Sequence, residues 1–237
     1  MKSATGLCCG KCNWNKRFGL FRRQEYVTRL WAVCIFAAVP VLAADNRLSS
    51  LLGSIEERYN HAKSLRLEFV QTYAGARSPA QKESGTIWLM KPGRMRWEYE
   101  RPSGKLFLSD GKNVYLYTPQ DHRATRSKLK ESDDMRAPLA FLLGKLNFQK
   151  EFRSFESRAE NGGTWIVALP KSENLAYTKV EFFALPTGEI RLVRVTGQDQ
   201  SRLEFQFSGE RMNVPVKPDE FVFHPPAGVE VVAGVEP

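Results

Sequence analysis

Residues 88–102, WLMKPGRMRWEYERP, form the stretch of this sequence from which its fold can be inferred. Turn residues occur at Pro92-Gly93 and at Pro102, and between them large apolar side chains alternate with charged ones. Because successive side chains of a β-strand point to opposite faces of a sheet, this alternation gives one apolar and one charged face. The apolar set is Met95, Trp97 and Tyr99, and the charged set is Arg94, Arg96 and Glu98. We therefore predict two neighbouring strands joined by a turn, with one face buried.

The same two-residue period recurs along most of the chain. Besides 85–91 and 94–100, it predicts strands at 65–69, 105–109, 113–118, 152–159, 164–169, 176–184, 189–196, 201–208 and 220–223. Turn pairs such as Asp110-Gly111 and Asn161-Gly162 separate these segments. About ten or eleven antiparallel strands in one domain are typical of a large curved sheet or barrel, so the fold class is mainly β.

Two helical segments interrupt the strand pattern. Apolar residues recur at spacings of three and four after Asp45, which predicts an amphipathic helix of about twenty residues. These residues are Leu48, Leu51, Leu52, Ile55, Tyr59 and Ala62. A second, short helix is predicted within Ser132–Leu146, opened by Pro138 and carrying an apolar stripe of leucines. The two helices are the elements available to cover the apolar face, and we expect the inserted one to be a movable lid over an apolar cavity.

The first 44 residues are predicted to be a secretory signal peptide with a long basic segment before its apolar part. Leu30–Leu42 is a 13-residue apolar run that follows three arginines. A membrane-spanning helix needs about 20 apolar residues. Small residues end the run, so cleavage is expected near Ala43 or Ala44. A lipidated Cys34 is the alternative, but Val33 is bulkier than the residue that usually precedes such a cysteine. Because the basic segment is unusually long, a translation start downstream of Met1 stays open.

Cleavage changes the bulk properties of what remains, a single predicted domain at 45–237. The leader holds seven of the 35 basic and one of the 26 acidic residues, so 28 basic and 25 acidic residues remain, a net charge of +3. The loss of most of the excess charge argues against a nucleic-acid partner. All four cysteines precede residue 45. The exported domain therefore has no thiol and depends on its hydrophobic core for stability.

Three segments of this domain resemble one protein family in their order and spacing. They are IWLMKPGRMRWEYERP (87–102), LFLSDGKNVYLYTP (106–119) and FVFHPPAGVEVV (221–232). Together with the leader and the two helices, they are similar to the outer-membrane lipoprotein carrier proteins, which are periplasmic chaperones of the Lol pathway in Gram-negative bacteria. The resemblance implies an unclosed antiparallel β-barrel covered by helices. It also implies a protein, expected to be a monomer, that takes triacylated lipoproteins from an inner-membrane ABC transporter and gives them to an outer-membrane receptor.

The expected function selects the candidate site residues. A buried acyl chain of about sixteen carbons represents on the order of 12 kcal/mol of transfer free energy, so its cavity must be apolar and adaptable. The residues expected to line the cavity and its lid are Met95, Trp97, Phe107, Tyr117, Leu139, Leu142 and Leu143, with Met90 as a further flexible side chain. In the family, an arginine associated with lid closure and transfer precedes the proline between two strands. The matching residue here is Lys91, which keeps the charge but lacks the planar guanidinium; a solvated surface lysine is the alternative.

Motifs for catalysis are weak. Neither His-Glu-x-x-His nor Gly-x-Ser-x-Gly occurs, and the three histidines lie in separate predicted elements. They are His61, His122 and His224. Ser127–Lys130 fits Ser-x-x-Lys without its companion motifs, and Glu131, Asp133 and Asp134 are more simply a helix-initiating loop than a calcium site or acid pair. We expect no enzymatic activity, metal or cofactor. A carrier of other envelope lipids such as glycolipids, a sensor, or the outer-membrane receptor itself is the alternative.

Overall fold

A twelve-stranded sheet makes up most of the chain that the computed structural model describes, which is residues 40–75, 78–129, 139 and 146–234. The strands are β1 (Ser64–Ala74), β2 (Gln81–Met90), β3 (Arg94–Arg101), β4 (Leu106–Asp110), β5 (Asn113–Thr118), β6 (Arg123–Lys128), β7 (Phe152–Glu160), β8 (Gly163–Pro170), β9 (Tyr177–Ala184), β10 (Ile190–Gly197), β11 (Arg202–Met212) and β12 (Glu230–Ala233). Helix α1 spans Pro40–His61 and α2 spans Phe148–Glu151. None of the helices in these ranges has the length and apolar character needed to cross a membrane.

The strand order is β12-β6-β5-β4-β3-β2-β1-β11-β10-β9-β8-β7. Neighbouring strands pair antiparallel throughout, except that β12 lies parallel to β6. Within the described residues β12 and β7 are the two edges and do not pair with each other, so the sheet is unclosed. The predicted mainly β fold with an unclosed, antiparallel sheet is confirmed. The parallel pairing of β12 with β6 was not predicted.

The alternation in β3 has the predicted outcome. Its burial alternates strictly, with Met95, Trp97 and Tyr99 buried and the intervening residues partly exposed. The register places Ile87 of β2 and Phe107 of β4 directly beside Trp97, and directly paired side chains share a face. We name this side of the sheet the inner face. One hydrophobic core extends along it from β5 to β7 and includes residues of α1.

Helix α1 contributes the predicted apolar stripe to that core. Leu52, Ile55 and Tyr59 are buried and belong to the same cluster as the inner face. The turn between β9 and β10 approaches the helix closely, since a Cβ placed on Gly188 would lie 2.7 Å from the Ser54 carbonyl oxygen. Gly188 also has φ +78°, a conformation that favours glycine. The helix is therefore packed directly against the chain that enters β10.

The strand predicted at 220–223 is wrong. Pro218–Phe221 is a 3-10 helix that lies against β3 and β4, and it lies on the side opposite the inner face, which we name the outer face. Phe221 is buried, and the ring of Phe223 stacks on Tyr115 with centroids 5.0 Å apart. The chain from β11 to β12 thus crosses the outer face and inserts aromatic side chains into it. The alternation of apolar residues at 220–223 is therefore explained by side chains that insert into the outer face, and not by strand pairing.

Two strands at one end of the sheet are not predicted by the sequence: the edge strand β12 and its neighbour β6. Strand β6 (RATRSK) buries only Ala124, and β12 (EVVA) buries none of its residues. Val231 pairs with Ala124 where the two strands meet. Charged side chains are common at the margin of a sheet, where they limit edge-to-edge association. Neither β6 nor β12 therefore has the apolar period by which buried strands are recognised.

The predicted signal peptide lies mostly outside the described residues, which begin at residue 40. Helix α1 starts at Pro40 and therefore includes the residues around the predicted cleavage position. The chain divides into two units, Met1–Leu42 and Ala43–Pro237, and all twelve strands belong to the second. The boundary at residue 44 stays a prediction.

Candidate functional site

An aromatic cluster occupies the middle of the inner face. The ring of Trp97 meets Phe69, Phe205 and Phe107 edge to face, with centroid separations of 5.1, 5.3 and 6.1 Å. These residues come from β3, β1, β11 and β4, and each is at most 2% exposed. Rings packed in this way combine a large apolar surface with a defined geometry. With Ile87 of β2, which lies beside Trp97, the wall they form is apolar and spans the five adjacent strands from β4 to β11.

A polar network bounds this wall at one end. The Tyr99 hydroxyl donates to Gln71 Oε1 at 3.2 Å, and Gln71 Nε2 donates to Glu83 Oε2 at 2.9 Å. The Lys105 ammonium pairs with Glu83 at 2.5 Å and lies 4.6 Å from the centroid of the Tyr99 ring. Each buried polar group of this network therefore has a partner, and the apolar surface ends here.

The predicted sheet residues divide between the two faces. Met95, Trp97 and Phe107 are buried on the inner face. Tyr117 is not there: β4 and β5 pair so that Leu116 lies beside Phe107 while Tyr117 lies beside an outer-face leucine. The placement of Tyr117 in the cavity is therefore wrong, and Leu116 packs against the inner core instead. Alternation in the sequence does not show whether Leu116 or Tyr117 points to the inner face, because Val114–Tyr117 is apolar or aromatic at every position.

Met90 also falls on the outer face, because it pairs with Arg94 at the end of the β2–β3 ladder. Of the predicted lid residues, Leu139 is 2% exposed and belongs to the inner core, as does Leu146. Leu142 and Leu143 lie outside the described residues. Their role in covering the cavity stays a prediction.

Lys91 links the β2–β3 turn to the end of α1. Its Nζ donates to the carbonyl oxygens of Tyr59 at 2.8 Å and Asn60 at 2.5 Å. Carbonyl groups in the last turn of a helix have no partner within the helix and carry partial negative charge, so a lysine is a favourable cap there. Burial lowers the pKa of the Lys91 ammonium below its usual range. Lys91 is thus engaged with α1, which does not fit the alternative of a freely solvated lysine.

A second polar contact attaches the same helix to the sheet. Arg58 forms an ion pair with Glu210 of β11, whose side chain is only 4% exposed. The Tyr59 hydroxyl donates to Glu210 Oε2 at 2.7 Å and accepts the Ile190 amide at 3.0 Å. Burial, and after it the charge of Glu210, raises the pKa of Tyr59, so the hydroxyl keeps the proton that it donates. Sequence analysis missed this cluster because about 150 residues separate its partners.

Helix α1 is also tied to the segment that precedes β7. The Asn60 side chain accepts the Leu146 amide at 2.6 Å and donates to the Leu146 carbonyl at 2.9 Å. Glu56 accepts the Phe148 amide at 2.7 Å. The C-terminal half of α1 therefore has bonds to four separate parts of the chain.

The outer face has a different chemistry. Across β8 to β11 it carries a ladder of charges in which Arg194 pairs with Glu204 at 2.7 Å and lies 5.0 Å from the centroid of the Trp165 ring. Glu181 is 3.6 Å from Arg194 and 3.3 Å from Lys179. A groove of about 410 Å³ on this face is lined largely by such charged side chains. The large apolar surface of the described chain is thus on the inner face.

The residues considered for catalysis or metal binding are dispersed. His61, His122 and His224 are exposed and lie in separate segments. Among the residues that the structure describes, no three His, Cys, Asp or Glu side chains are grouped as a metal site would require. The acidic cluster at 131–134 and Lys130 of the Ser-x-x-Lys match lie outside the described residues.

Comparison with known proteins identifies the family. A relative from Nitrosospira multiformis, named "Outer-membrane lipoprotein carrier protein", is 27% identical over 84% of this chain and 96% of its own. A relative of the same name from Methylibium petroleiphilum is 30% identical over 86% of this chain and 98% of its own. The crystal structure of a LolA superfamily protein from Nitrosomonas europaea has a TM-score of 0.43 at 9% identity, covering 74% of this chain and 97% of that one. The model of the family "Outer membrane lipoprotein carrier protein LolA" matches residues 60–224, which is more than half of the chain. The chain therefore belongs to the outer membrane lipoprotein carrier protein family.

Proposed function

We propose that this protein is a periplasmic carrier that holds the acyl chains of lipoproteins against its inner face. The observation that carries this proposal is the family match over residues 60–224, which runs from the end of α1 through the segment that crosses the outer face. The relatives from Nitrosospira multiformis and Methylibium petroleiphilum, both named as lipoprotein carriers, support the same conclusion.

The inner face suits that cargo physically. An acyl chain of about sixteen carbons loses on the order of 12 kcal/mol of favourable transfer free energy if it must enter water. The aromatic wall around Trp97 offers apolar surface on several strands, and Met95 beside it is a flexible side chain that adapts to different occupants. To carry a lipoprotein in this way, the protein must bury the acyl chain and later release it. Neither event involves a chemical reaction.

We further propose the route of the cargo. A triacylated lipoprotein is received from an inner-membrane ABC transporter and delivered to an outer-membrane receptor by a monomer that has lost its leader near Ala43 or Ala44. The leader pattern in the sequence, with its arginines before a 13-residue apolar run, supports export to the periplasm.

Lys91 has a proposed part in this cycle. Its two bonds to the last turn of α1 join the β2–β3 turn to the helix that covers part of the inner face. We propose that these bonds hold the empty protein closed, and that cargo exchange requires them to break. The inserted segment with Leu139, Leu142 and Leu143 completes the cover in this proposal.

Mass spectrometry of the lipid that accompanies the protein tests the proposal. The protein is purified from the periplasm without detergent, in cells where the outer-membrane receptor is depleted so that cargo accumulates. We expect a stoichiometric amount of triacylated lipoprotein. Recovery of a glycolipid or phospholipid in its place identifies a carrier of other lipids with the same fold, and contradicts the proposed cargo.

A further inference from the structure

We propose that the indole N–H of Trp97 is the hydrogen-bond donor for the carbonyl oxygen of an ester-linked acyl chain bound on the inner face. This inference rests on the proposed function and adds to it a specific polar contact. It makes Trp97 the residue that recognises the one polar group of an otherwise apolar ligand.

The first observation is an unpartnered donor in the core. Trp97 is fully buried, and its Nε1 forms no hydrogen bond with any residue that the structure describes. An indole nitrogen can only donate, and a buried donor without an acceptor is destabilising. Buried tryptophans usually place this group against a partner. The protein therefore carries an unfavourable feature at the centre of its proposed binding wall.

The second observation is that the described residues in ring contact with Trp97 or paired directly with it are apolar. Its ring neighbours are Phe69, Phe107 and Phe205, and Ile87 lies beside it on β2. The nearest polar network on this face uses Tyr99, two residues along the strand, and that hydroxyl is bonded to Gln71. None of these described neighbours offers the indole an acceptor, so we assign that role to the ligand.

The chemistry of an acyl ester matches this requirement. Its chain is apolar, and its carbonyl oxygen accepts hydrogen bonds while the ester linkage donates none. A single donor in an apolar wall would pair with that oxygen and so fix how far the chain enters. The methylene groups can slide along the rings, but moving the carbonyl away from the indole breaks the hydrogen bond. A hydrocarbon of equal length would leave the indole unpaired. We expect the wall to prefer the ester by about five- to tenfold, the range that one such hydrogen bond provides.

Nuclear magnetic resonance of the indole groups tests this contact directly. The exported chain has three tryptophans, and the indole signal of Trp97 is assigned by elimination with Trp88→Phe and Trp165→Phe. The ¹⁵N-labelled protein is equilibrated with a saturating layer of methyl decanoate or of undecane. We expect the Trp97 indole proton to move downfield with the ester and not with the hydrocarbon. An equal response to both liquids, or no response while leucine and methionine methyl signals report ester binding, overturns the inference.

A variant gives an independent measurement. Trp97→Phe keeps an aromatic ring and removes the donor, so retention of radiolabelled methyl decanoate relative to undecane should fall five- to tenfold, with undecane retention nearly unchanged. Trp88→Phe on the outer face is the matched control and should keep the preference. An unchanged preference in Trp97→Phe contradicts the assignment, and if this variant does not fold, the wild-type spectra still decide. If neither liquid binds the wild type, the proposed function itself fails and this inference fails with it.

Discussion

Lys91 connects the β2–β3 turn to α1, and we expect its substitution to separate binding from transfer. Lys91→Leu removes both bonds to the carbonyls of Tyr59 and Asn60. We expect this variant to load a lipoprotein but to transfer it poorly, because the closed empty state that favours release is lost. Lys91→Arg keeps a charged donor and should transfer normally. The measurement is the fraction of bound lipoprotein that moves to outer-membrane vesicles; equal transfer by all three proteins would show that the contact is only structural.

Tyr59 makes a different kind of contribution, since its hydroxyl satisfies two buried groups at once. Tyr59→Phe leaves the Ile190 amide and one oxygen of Glu210 without this partner. Unsatisfied buried groups each cost about 1–3 kcal/mol, so we expect the free energy of unfolding to fall by about 2–4 kcal/mol. Tyr115→Phe is the control, because that ring stacks on Phe223 and the loss of its hydroxyl should change stability by less than about 0.5 kcal/mol. Equal effects in chemical denaturation would contradict the role assigned to the Tyr59 hydroxyl.

The turn between β4 and β5 is an element whose stability depends on one carboxylate. Asp110 accepts the amides of Lys112 and Asn113, each at 2.7 Å, and the Asn113 side chain at 3.0 Å. Partial burial alone would raise the pKa of Asp110, but these bonds outweigh it and hold the pKa below its usual range. The sequence motif that resembles the carrier family, SDGKN, is thus a turn that brings β4 and β5 together.

The depressed pKa of Asp110 predicts an acid dependence of stability. A carboxyl whose folded pKa is lowered contributes stability that is fully present above its unfolded pKa and is lost as pH falls through the folded pKa. Asp110→Ala should therefore be less stable by about 1–2 kcal/mol at neutral pH. The difference from wild type should shrink as pH falls below the ordinary aspartate value of 3.8. A difference that stays constant from pH 7 to pH 2.5 in urea denaturation would show that the ionised carboxylate is not responsible.

The segment that crosses the outer face provides a test of the separation between the two faces. Phe221 is 1% exposed whereas the adjacent Val222 is 46% exposed. Phe221→Ala should lower the free energy of unfolding by about 3–5 kcal/mol, as is usual for a buried phenylalanine. Val222→Ala should have little effect on stability. Because Phe221 lies away from the inner face, the folded Phe221→Ala protein should bind lipoprotein like the wild type, and a loss of binding in the folded state would contradict the assignment of binding to the inner face.

The strands show what a sequence period can and cannot predict. The burial of β3 followed from its alternation, because Arg94, Arg96 and Glu98 cannot occupy an apolar face without partners. The same argument failed at Tyr117, where both faces of β5 carry large apolar side chains and only pairing with β4 decides the orientation. It failed again at 220–223, where the aromatic side chains pack a non-strand segment against the outer face. Strand β6, next to the edge, has one buried residue and therefore no apolar period to detect.

Contacts between distant residues were beyond the reach of sequence analysis. The partners of Glu210 are on α1, and neither an arginine followed by a tyrosine nor a glutamate near the end of a strand predicts a pairing by itself. Lys91 was selected through a family resemblance, and the helix carbonyls that it contacts were not foreseen. The unpartnered indole of Trp97 likewise depends on which rings surround it. Long-range contacts of this kind are set by the tertiary structure.

At the level of the whole molecule, the sheet separates two environments. The inner face collects aromatic and aliphatic side chains from ten strands and α1, whereas the outer face carries charge ladders and is crossed by the chain from β11 to β12. Helix α1 is held to this sheet at its C-terminal half by Glu210, by Lys91 and by the segment before β7. One face is thereby suited to apolar cargo and the other to water.

The release of a lipoprotein from spheroplasts tests this account most directly. Purified protein is added to spheroplasts that synthesise a labelled triacylated lipoprotein, and the label in the medium is measured against protein concentration, with serum albumin as the control for non-specific extraction of acyl chains. We predict release in proportion to the added protein, as a complex that co-migrates with it, and none with albumin. Lipoprotein that stays with the spheroplasts in the presence of folded protein would contradict the proposal that this chain carries lipoproteins.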